Sequence, residues 1–150
     1  MLVRDGVRTP LVLATAVYKA TWILRRSDVV TVAVDGSTLG ALLRQGAPLS
    51  RWVGPVAELL EQLGQRGLWH PDLNVNNILL GSEPEGTPVA YVLDIDRLQH
   101  ALVDPRSVNA ANLGRLERSI RKWSARHGIH SGGEGIAALR LELQQRFGWR

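Results

Sequence analysis

The sequence predicts an α+β fold in which a short block of strands precedes a mainly helical body. Residues 11–34 are apolar and rich in β-branched side chains, the composition of strands. From Trp52 onward apolar residues recur at helical spacing. Between the helical stretches lies a polar loop, Trp69-His70-Pro71-Asp72-Leu73-Asn74-Val75-Asn76-Asn77, followed by two short apolar segments.

Taken in order, residues 1–10 are a polar leading segment that ends at Pro10. Residues 11–18 read as a strand. Residues 21–24 read as a second, after a tight connection at Lys19-Ala20. Arg25-Arg26-Ser27-Asp28 reads as a turn and residues 29–34 as a third strand. Asp35-Gly36-Ser37 breaks that strand, and Ser37 is placed to cap a short helix over residues 38–43. Gly46-Ala47-Pro48 is a loop. Trp52, Val53, Val56, Leu59, Leu60 and Leu63 then mark a buried amphipathic helix ending within residues 64–67. Glu83-Pro84-Glu85-Gly86-Thr87-Pro88 is a solvated turn between the two short apolar segments.

The C-terminal third is helical. Val108, Leu113, Leu116, Ile120 and Trp123 follow one stripe. Arg115, Arg118 and Lys122 share another face, at i, i+3 and i+7. That face reads either as a solvated basic surface, which periodicity alone favours, or as a platform for an anionic acceptor or lipid headgroups. A last helix runs over residues 134–147, with Ile136, Leu139, Leu143 and Phe147 inward. Ser131-Gly132-Gly133-Glu134-Gly135 has the glycines of a phosphate-cradling loop. It lacks a following Lys-Ser/Thr, and Glu134 would repel a phosphate, so it reads as a flexible helix start. His127 and His130 have no carboxylate or thiolate nearby in sequence to complete a metal site, and His100 reads as a surface residue.

Composition bounds the function. The 150 residues suit one domain, and 45% hydrophobic content supports a packed core. The absence of cysteine removes disulfides and thiolate zinc sites and agrees with a reducing compartment. Met1-Leu2-Val3-Arg4-Asp5-Gly6 turns polar too early for a signal peptide. The net charge of +4, carried mostly by arginine, favours anionic partners. A nucleic-acid-binding protein is one such class, but aromatic residues do not interleave the arginines and no binding motif is present, so it ranks last and no nucleic acid is expected.

The chemistry concentrates in the polar loop. Asp72 stands two positions after His70, Asn77 five after Asp72, and an apolar run follows. This is the pattern of a phosphotransfer catalytic loop, with Asp72 as the base that accepts the acceptor's proton and Asn77 as an amide-oxygen ligand for Mg²⁺. Asp94, at the end of Ala90-Tyr91-Val92-Leu93, supplies a second metal ligand where a strand delivers it to a site edge. His70 is expected to tie the loop to the acidic segment, and Leu73, Ile78, Leu79 and Leu80 to anchor it on the core. Asp and Asn are also turn formers, so the alternative is a pair of plain turns, with His70 and Asp72 a chance pair or half of a metal site. The two apolar segments, the second ending in an acid, favour the catalytic-loop reading.

Three motifs carry a family resemblance. Residues 70–80 read His-x-Asp-Leu-Asn-x-x-Asn-Ile-Leu-Leu, with Asn74 where protein kinases usually carry lysine. Leu93-Asp94-Ile95-Asp96-Arg97 stands where protein kinases have Asp-Phe-Gly, and residues 112–122 match Asn-Leu-x-Arg-Leu-x-Arg-Ser-Leu-x-Lys with isoleucine at the ninth place. On these residues the sequence resembles the bacterial 3-deoxy-D-manno-octulosonic acid (Kdo) kinases, among the lipopolysaccharide-core kinases of the protein-kinase-like superfamily. The resemblance implies a protein-kinase-like fold in one domain, 1–150. Residues 1–35 would be a remnant of the small lobe with the hinge, and 36–150 the large lobe. It implies ATP and Mg²⁺ as cofactors, with backbone groups of Ala33 and Val34 meeting adenine. The γ-phosphoryl group would pass to a Kdo hydroxyl on a lipid A precursor, at the cytoplasmic face of the inner membrane, with an anionic membrane surface as a further partner.

Such a kinase also needs a Gly-rich loop and a strand lysine paired to a helix glutamate. Lys19 is the only lysine before Lys122, and neither a Gly-rich hairpin nor a Glu-bearing helix flanks it. Met1 is therefore expected to fall inside the small lobe, leaving the strands of residues 11–34 uncovered and prone to self-association. The alternative function is a catalytically weak kinase remnant, acting as a nucleotide- or partner-binding module.

Overall fold

The computed structural model describes residues 6–19, 21–23, 25–129 and 132–147. β1 (Val12–Lys19) and β2 (Arg25–Thr31) form an antiparallel hairpin, with Tyr18 opposite Arg26 and Ala16 opposite Asp28. This corrects the expectation of three strands. Residues 21–23 are a bend rather than a strand, and the expected turn at Arg25-Arg26-Ser27-Asp28 lies inside β2. Both faces of the hairpin meet solvent, so polar side chains cost nothing there. They also pair locally: the Tyr18 hydroxyl donates to Asp28 at 2.5 Å, and Arg26 stands 3.6 Å from the same carboxylate. The third strand shrinks likewise: β2 ends at Thr31, and residues 32–35 are an irregular connection.

Beyond that connection β3 (Gly36–Thr38) pairs with β5 (Ile78–Ser82), which pairs with β6 (Pro88–Val92), giving an antiparallel three-stranded sheet. The solvated turn of residues 83–87 joins β5 to β6 as expected. Between β3 and β5 in sequence lie α1 (Leu39–Arg44), α2 (Ser50–Gln65) and β4 (Leu68–Trp69). Thr38, not Ser37, caps α1: its Oγ1 accepts from the Ala41 N–H at 3.2 Å, while Ser37 is committed to the β3 ladder opposite Leu80. A 3₁₀ turn at Ile95–Arg97 leads to β7 (Gln99–His100), which pairs with β4. α3 (Pro105–His127) and α4 (Gly132–Phe147) complete the fold.

One apolar core unites these elements. Leu59, Leu60 and Leu63 of α2 are buried against Ala90 and Val92 of β6, Leu113 and Leu116 of α3, and Leu139 and Leu143 of α4. The periodic residues named from sequence are the inward ones, with Trp52, Val53 and Trp123 only half-buried; the Phe147 side chain lies outside the described set. The leading segment is less polar in its role than in its composition. Val7 is buried in the core, and the Arg8 carbonyl accepts from the Val92 N–H at 2.9 Å, extending the ladder at the edge of β6.

Candidate active site

The loop between β4 and β5 is built from two successive turns. The Leu73 N–H donates to the His70 carbonyl at 3.1 Å, and the Asn77 N–H to the Asn74 carbonyl at 3.0 Å. Asparagine side chains lock the turns. Asn74 donates to the Asp72 carbonyl at 3.0 Å and accepts from the Asn76 N–H at 2.9 Å. The residues are therefore turn formers, and the turns present one carboxylate, Asp72, which is 55% exposed. Beneath the loop Leu73, Val75, Ile78 and Leu80 are fully buried and Leu79 is half-buried, so the anchoring expected from sequence holds.

His70 is fully buried and fastens the loop to the acidic segment. Its Nδ1 accepts from the Asp72 N–H at 3.2 Å, which puts the ring proton on Nε2, 3.3 Å from the Leu93 carbonyl. Its own N–H donates to Asn112 Oδ1 at 3.0 Å, while Asn112 Nδ2 donates to the Leu68 carbonyl at 3.0 Å. Further along α3, Arg115 Nη2 lies 3.2 Å from Asp72 Oδ1, and Ser119 Oγ accepts from the Val75 N–H at 3.1 Å. Asn112, Arg115 and Ser119 stand at i, i+3 and i+7, so one helix face grips the loop at its start, its carboxylate and its middle. α1 closes the remaining side: the Gly40 N–H donates to the Val75 carbonyl at 2.9 Å. A Cβ on Gly40 would stand 2.6 Å from Asn76 Oδ1 and 3.0 Å from Val75 Cγ2, so a larger residue would require the loop side chains to shift.

Asn77 and Asp94 are brought together by the β5–β6 ladder. Ile78 pairs with Val92, and the Leu93 N–H donates to the Asn77 carbonyl at 2.9 Å, so Asp94 emerges one residue beyond the rung that holds Asn77. Asn77 Nδ2 donates to the Asp72 carbonyl at 3.0 Å, and its Oδ1 has no hydrogen-bond donor among the described residues. Asp94 has φ 58° and ψ 45°, and among the described residues it alone combines a side chain with left-handed backbone. Its carboxyl is raised above the ordinary value, chiefly by a hydrogen bond with Asp96, then by burial and the Asp96 charge, against the pull of Arg97 and His70. The neighbouring Asp94 and Asp96 carboxylates and the Asn77 amide oxygen, which the ladder delivers to the same strand end, are a hard oxygen donor set. That set fits a divalent cation such as Mg²⁺. His70 is not available as half of a metal site, because its Nδ1 is taken by the Asp72 N–H and its Nε2 faces the Leu93 carbonyl.

Asp94 and Asp96 also line a cleft of about 280 Å³ between the hairpin and the body, together with Val12, Val29 and Thr31. Ala33 and Val34 lie in the connection that links the hairpin to β3. Ala33 is exposed and Val34 half-buried, and neither lines the cleft wall. On the other side of the loop a second pocket, of about 260 Å³, is walled by Asp72, Asn74, Arg115, Arg118 and Lys122. The basic face of α3 thus adjoins the candidate base. His100 is exposed, as is His127, whose ring lies tilted against Trp123 with centroids 4.6 Å apart. His130 and Ser131, with their candidate metal and loop readings, lie outside the described residues.

Sequence reasoning missed what Asn112 and Ser119 do. The signal was present in the spacing of Asn112, Arg115 and Ser119 on one helix face. The partner of that face, a loop some forty residues upstream, is invisible to periodicity.

Comparison with known proteins places the chain among relatives of known family. A model of the lipopolysaccharide kinase (Kdo/WaaP) family matches residues 1–130. The 3-deoxy-D-manno-octulosonic acid kinase of Pasteurella multocida (strain Pm70) is 29% identical over 135 residues, covering 89% of this chain and 55% of its own. That of Haemophilus influenzae (strain ATCC 51907 / DSM 11121 / KW20 / Rd) is 30% identical over 147 residues, covering 96% and 59%. That of Actinobacillus succinogenes (strain ATCC 55618 / DSM 22257 / CCUG 43843 / 130Z) is 32% identical over 125 residues, covering 83% and 51%. The chain thus spans little more than half the length of these curated relatives. A solved structure described as WaaP in complex with acyl carrier protein superimposes with a TM-score of 0.56 at 18% identity, over 97% of this chain and 72% of that one, and shares its fold.

Proposed function

The chain belongs to the lipopolysaccharide kinase (Kdo/WaaP) family, and from that premise we propose that it carries the acceptor and metal side of an ATP-dependent phosphotransferase acting on a Kdo hydroxyl. The observation that best supports this is the shared tether of base and metal ligand. Asn77 Nδ2 holds the Asp72 carbonyl at 3.0 Å, and the Asn77 carbonyl holds the Leu93 N–H at 2.9 Å, so one asparagine links the candidate base to the strand end bearing Asp94.

In this reading Asp72 takes the proton of the acceptor hydroxyl and orients its oxygen for in-line attack. Asn77 Oδ1 and the Asp94 carboxylate would hold Mg²⁺, and the backbone at Ala33 and Val34, in the connection from the hairpin to β3, would meet adenine. Bound Mg²⁺–ATP supplies the transferable phosphoryl group and the positive charge that offsets its oxygens. Residues 1–35 act as small-lobe strands and hinge, and residues 36–150 as the large lobe. The acceptor is a Kdo-bearing lipid A precursor, met peripherally at the cytoplasmic face of the inner membrane. No helix among the described residues is long and apolar enough to cross a bilayer.

A second reading, a nucleotide-binding remnant with weak transfer, rests on Lys19. It sits exposed at the end of β1, and the first glutamate of the sequence is Glu58, which α2 uses to bind Arg8. Among the described residues no ion pair joins Lys19 to a glutamate, so the lysine–glutamate pair that clamps nucleotide phosphates in kinases is not formed there.

The test is phosphate transfer from γ-labelled ATP to a Kdo-bearing lipid A precursor, with nucleotide binding followed in parallel. Label in the lipid that disappears in Asp72→Ala, with nucleotide binding retained, supports the kinase. Nucleotide binding without transfer supports the remnant. A chain that neither binds nucleotide nor transfers phosphate contradicts both.

A further inference from the structure

We propose that Arg115, Arg118 and Lys122 form a subsite for a carboxylate of the acceptor sugar, on the side of Asp72 away from the nucleotide cleft. This rests on Asp72 being the acceptor-side base. The pocket of about 260 Å³ walled by these residues holds three cations against one carboxylate, and that carboxylate is Asp72 itself. Arg115 already pairs with it at 3.2 Å. Arg118 and Lys122 are exposed and have no anionic partner among the described residues. The pocket is thus left with unmatched positive charge directly beside the candidate base.

The helix face that carries this charge is tied to the loop. Ser119, between Arg118 and Lys122, is anchored to the Val75 N–H at 3.1 Å, so the helix face cannot move independently of the loop. A guanidinium fork fits a planar carboxylate, and charge-assisted bonds of this kind are the stronger ones. An octulosonic acid carries a carboxylate on the same small molecule as its hydroxyls. An acid group seated on Arg118 and Lys122 would hold the ring against Asp72 with a hydroxyl facing the base. The subsite would thus select acidic over neutral sugars, and Arg115, shared between Asp72 and the ligand, would couple its occupancy to the orientation of the base.

The experiment titrates the isotope-labelled 150-residue chain with the methyl glycoside of Kdo, and separately with its C1 methyl ester, reading backbone amide shifts. Nucleotide binding is read in the same samples. The acid is expected to shift Leu73, Asn74 and Ser119, and the ester to bind at least about tenfold more weakly. The combined Arg118→Gln and Lys122→Gln variant, altered only at exposed positions, should erase that difference, and added salt should narrow it. Equal binding of acid and ester would overturn the subsite while leaving the acceptor reading intact. Discrimination that persists in the double variant would also overturn it, as would inorganic phosphate shifting the same amides as strongly as the sugar acid. Nucleotide binding without any sugar binding would overturn the subsite and the Kdo acceptor together.

Discussion

The buried ring of His70 holds the Leu93 carbonyl at 3.3 Å through one nitrogen and the Asp72 N–H at 3.2 Å through the other. Two segments more than twenty residues apart are thereby clamped by one imidazole, and both carry residues of the candidate site. His70→Ala should leave a donor and an acceptor unsatisfied and open a void. We expect a loss of roughly 2–4 kcal/mol in denaturant unfolding. Unchanged stability would mean that the clamp is not formed.

The N-terminus of α3 gives a pH prediction. Asp104 caps the helix, its carboxylate accepting from the Arg106 and Ser107 N–H groups at 2.9 and 3.1 Å and from the Ser107 hydroxyl at 2.6 Å. These bonds, the Ser107 hydroxyl first, hold its pKa below the ordinary 3.8. The sign follows from linkage: the cap's contribution is fully present above 3.8 and is lost as pH falls through the lower folded value. Asp104→Asn keeps a capping oxygen but cannot titrate. Its melting temperature should match the parent at neutral pH and fall less steeply on acidification. Identical acid profiles would assign the titration elsewhere.

How much was legible in the sequence divides along physical lines. Helices with an apolar stripe were visible because their burial is periodic, as Leu59, Leu60 and Leu63 or Leu113, Leu116 and Ile120 show. The His70–Leu80 loop and Asp94 were visible because their chemistry demands particular residues at fixed spacing. The hairpin was misread because it is not buried: with both faces in solvent, Arg25 and Asp28 sit as easily in a strand as Val29, so alternation gave no guide. The grip of Asn112 and Ser119 on the loop was illegible because it depends on a long-range contact. Helical spacing left the basic face open between a solvated surface and an anion platform: Arg118 and Lys122 are exposed, while Arg115 faces Asp72, a partner that spacing cannot show.

The same hairpin predicts association. Leu13, Val17, Trp22, Ile23 and Val30 are all exposed, Trp22 at 89%. Both outer edges of β1 and β2 also lack a strand partner among the described residues. Apolar surface beside open strand edges favours pairing between chains. Sedimentation should show concentration-dependent self-association that Trp22→Ser with Ile23→Ser weakens. A parent chain that stays monomeric up to high concentration would show that the hairpin is no association surface.

The central claim is that Asn77 and Asp94 hold one divalent cation beside Asp72. It is tested most directly by adding Mn²⁺ with a nucleotide to the isotope-labelled chain and following paramagnetic broadening of the amide signals. Broadening should centre on Asn77, Leu93, Asp94 and Ile95, reach the cleft-lining Val29 and Thr31, and collapse in Asp94→Asn. Broadening centred elsewhere, or an unchanged pattern in Asp94→Asn, would contradict the site.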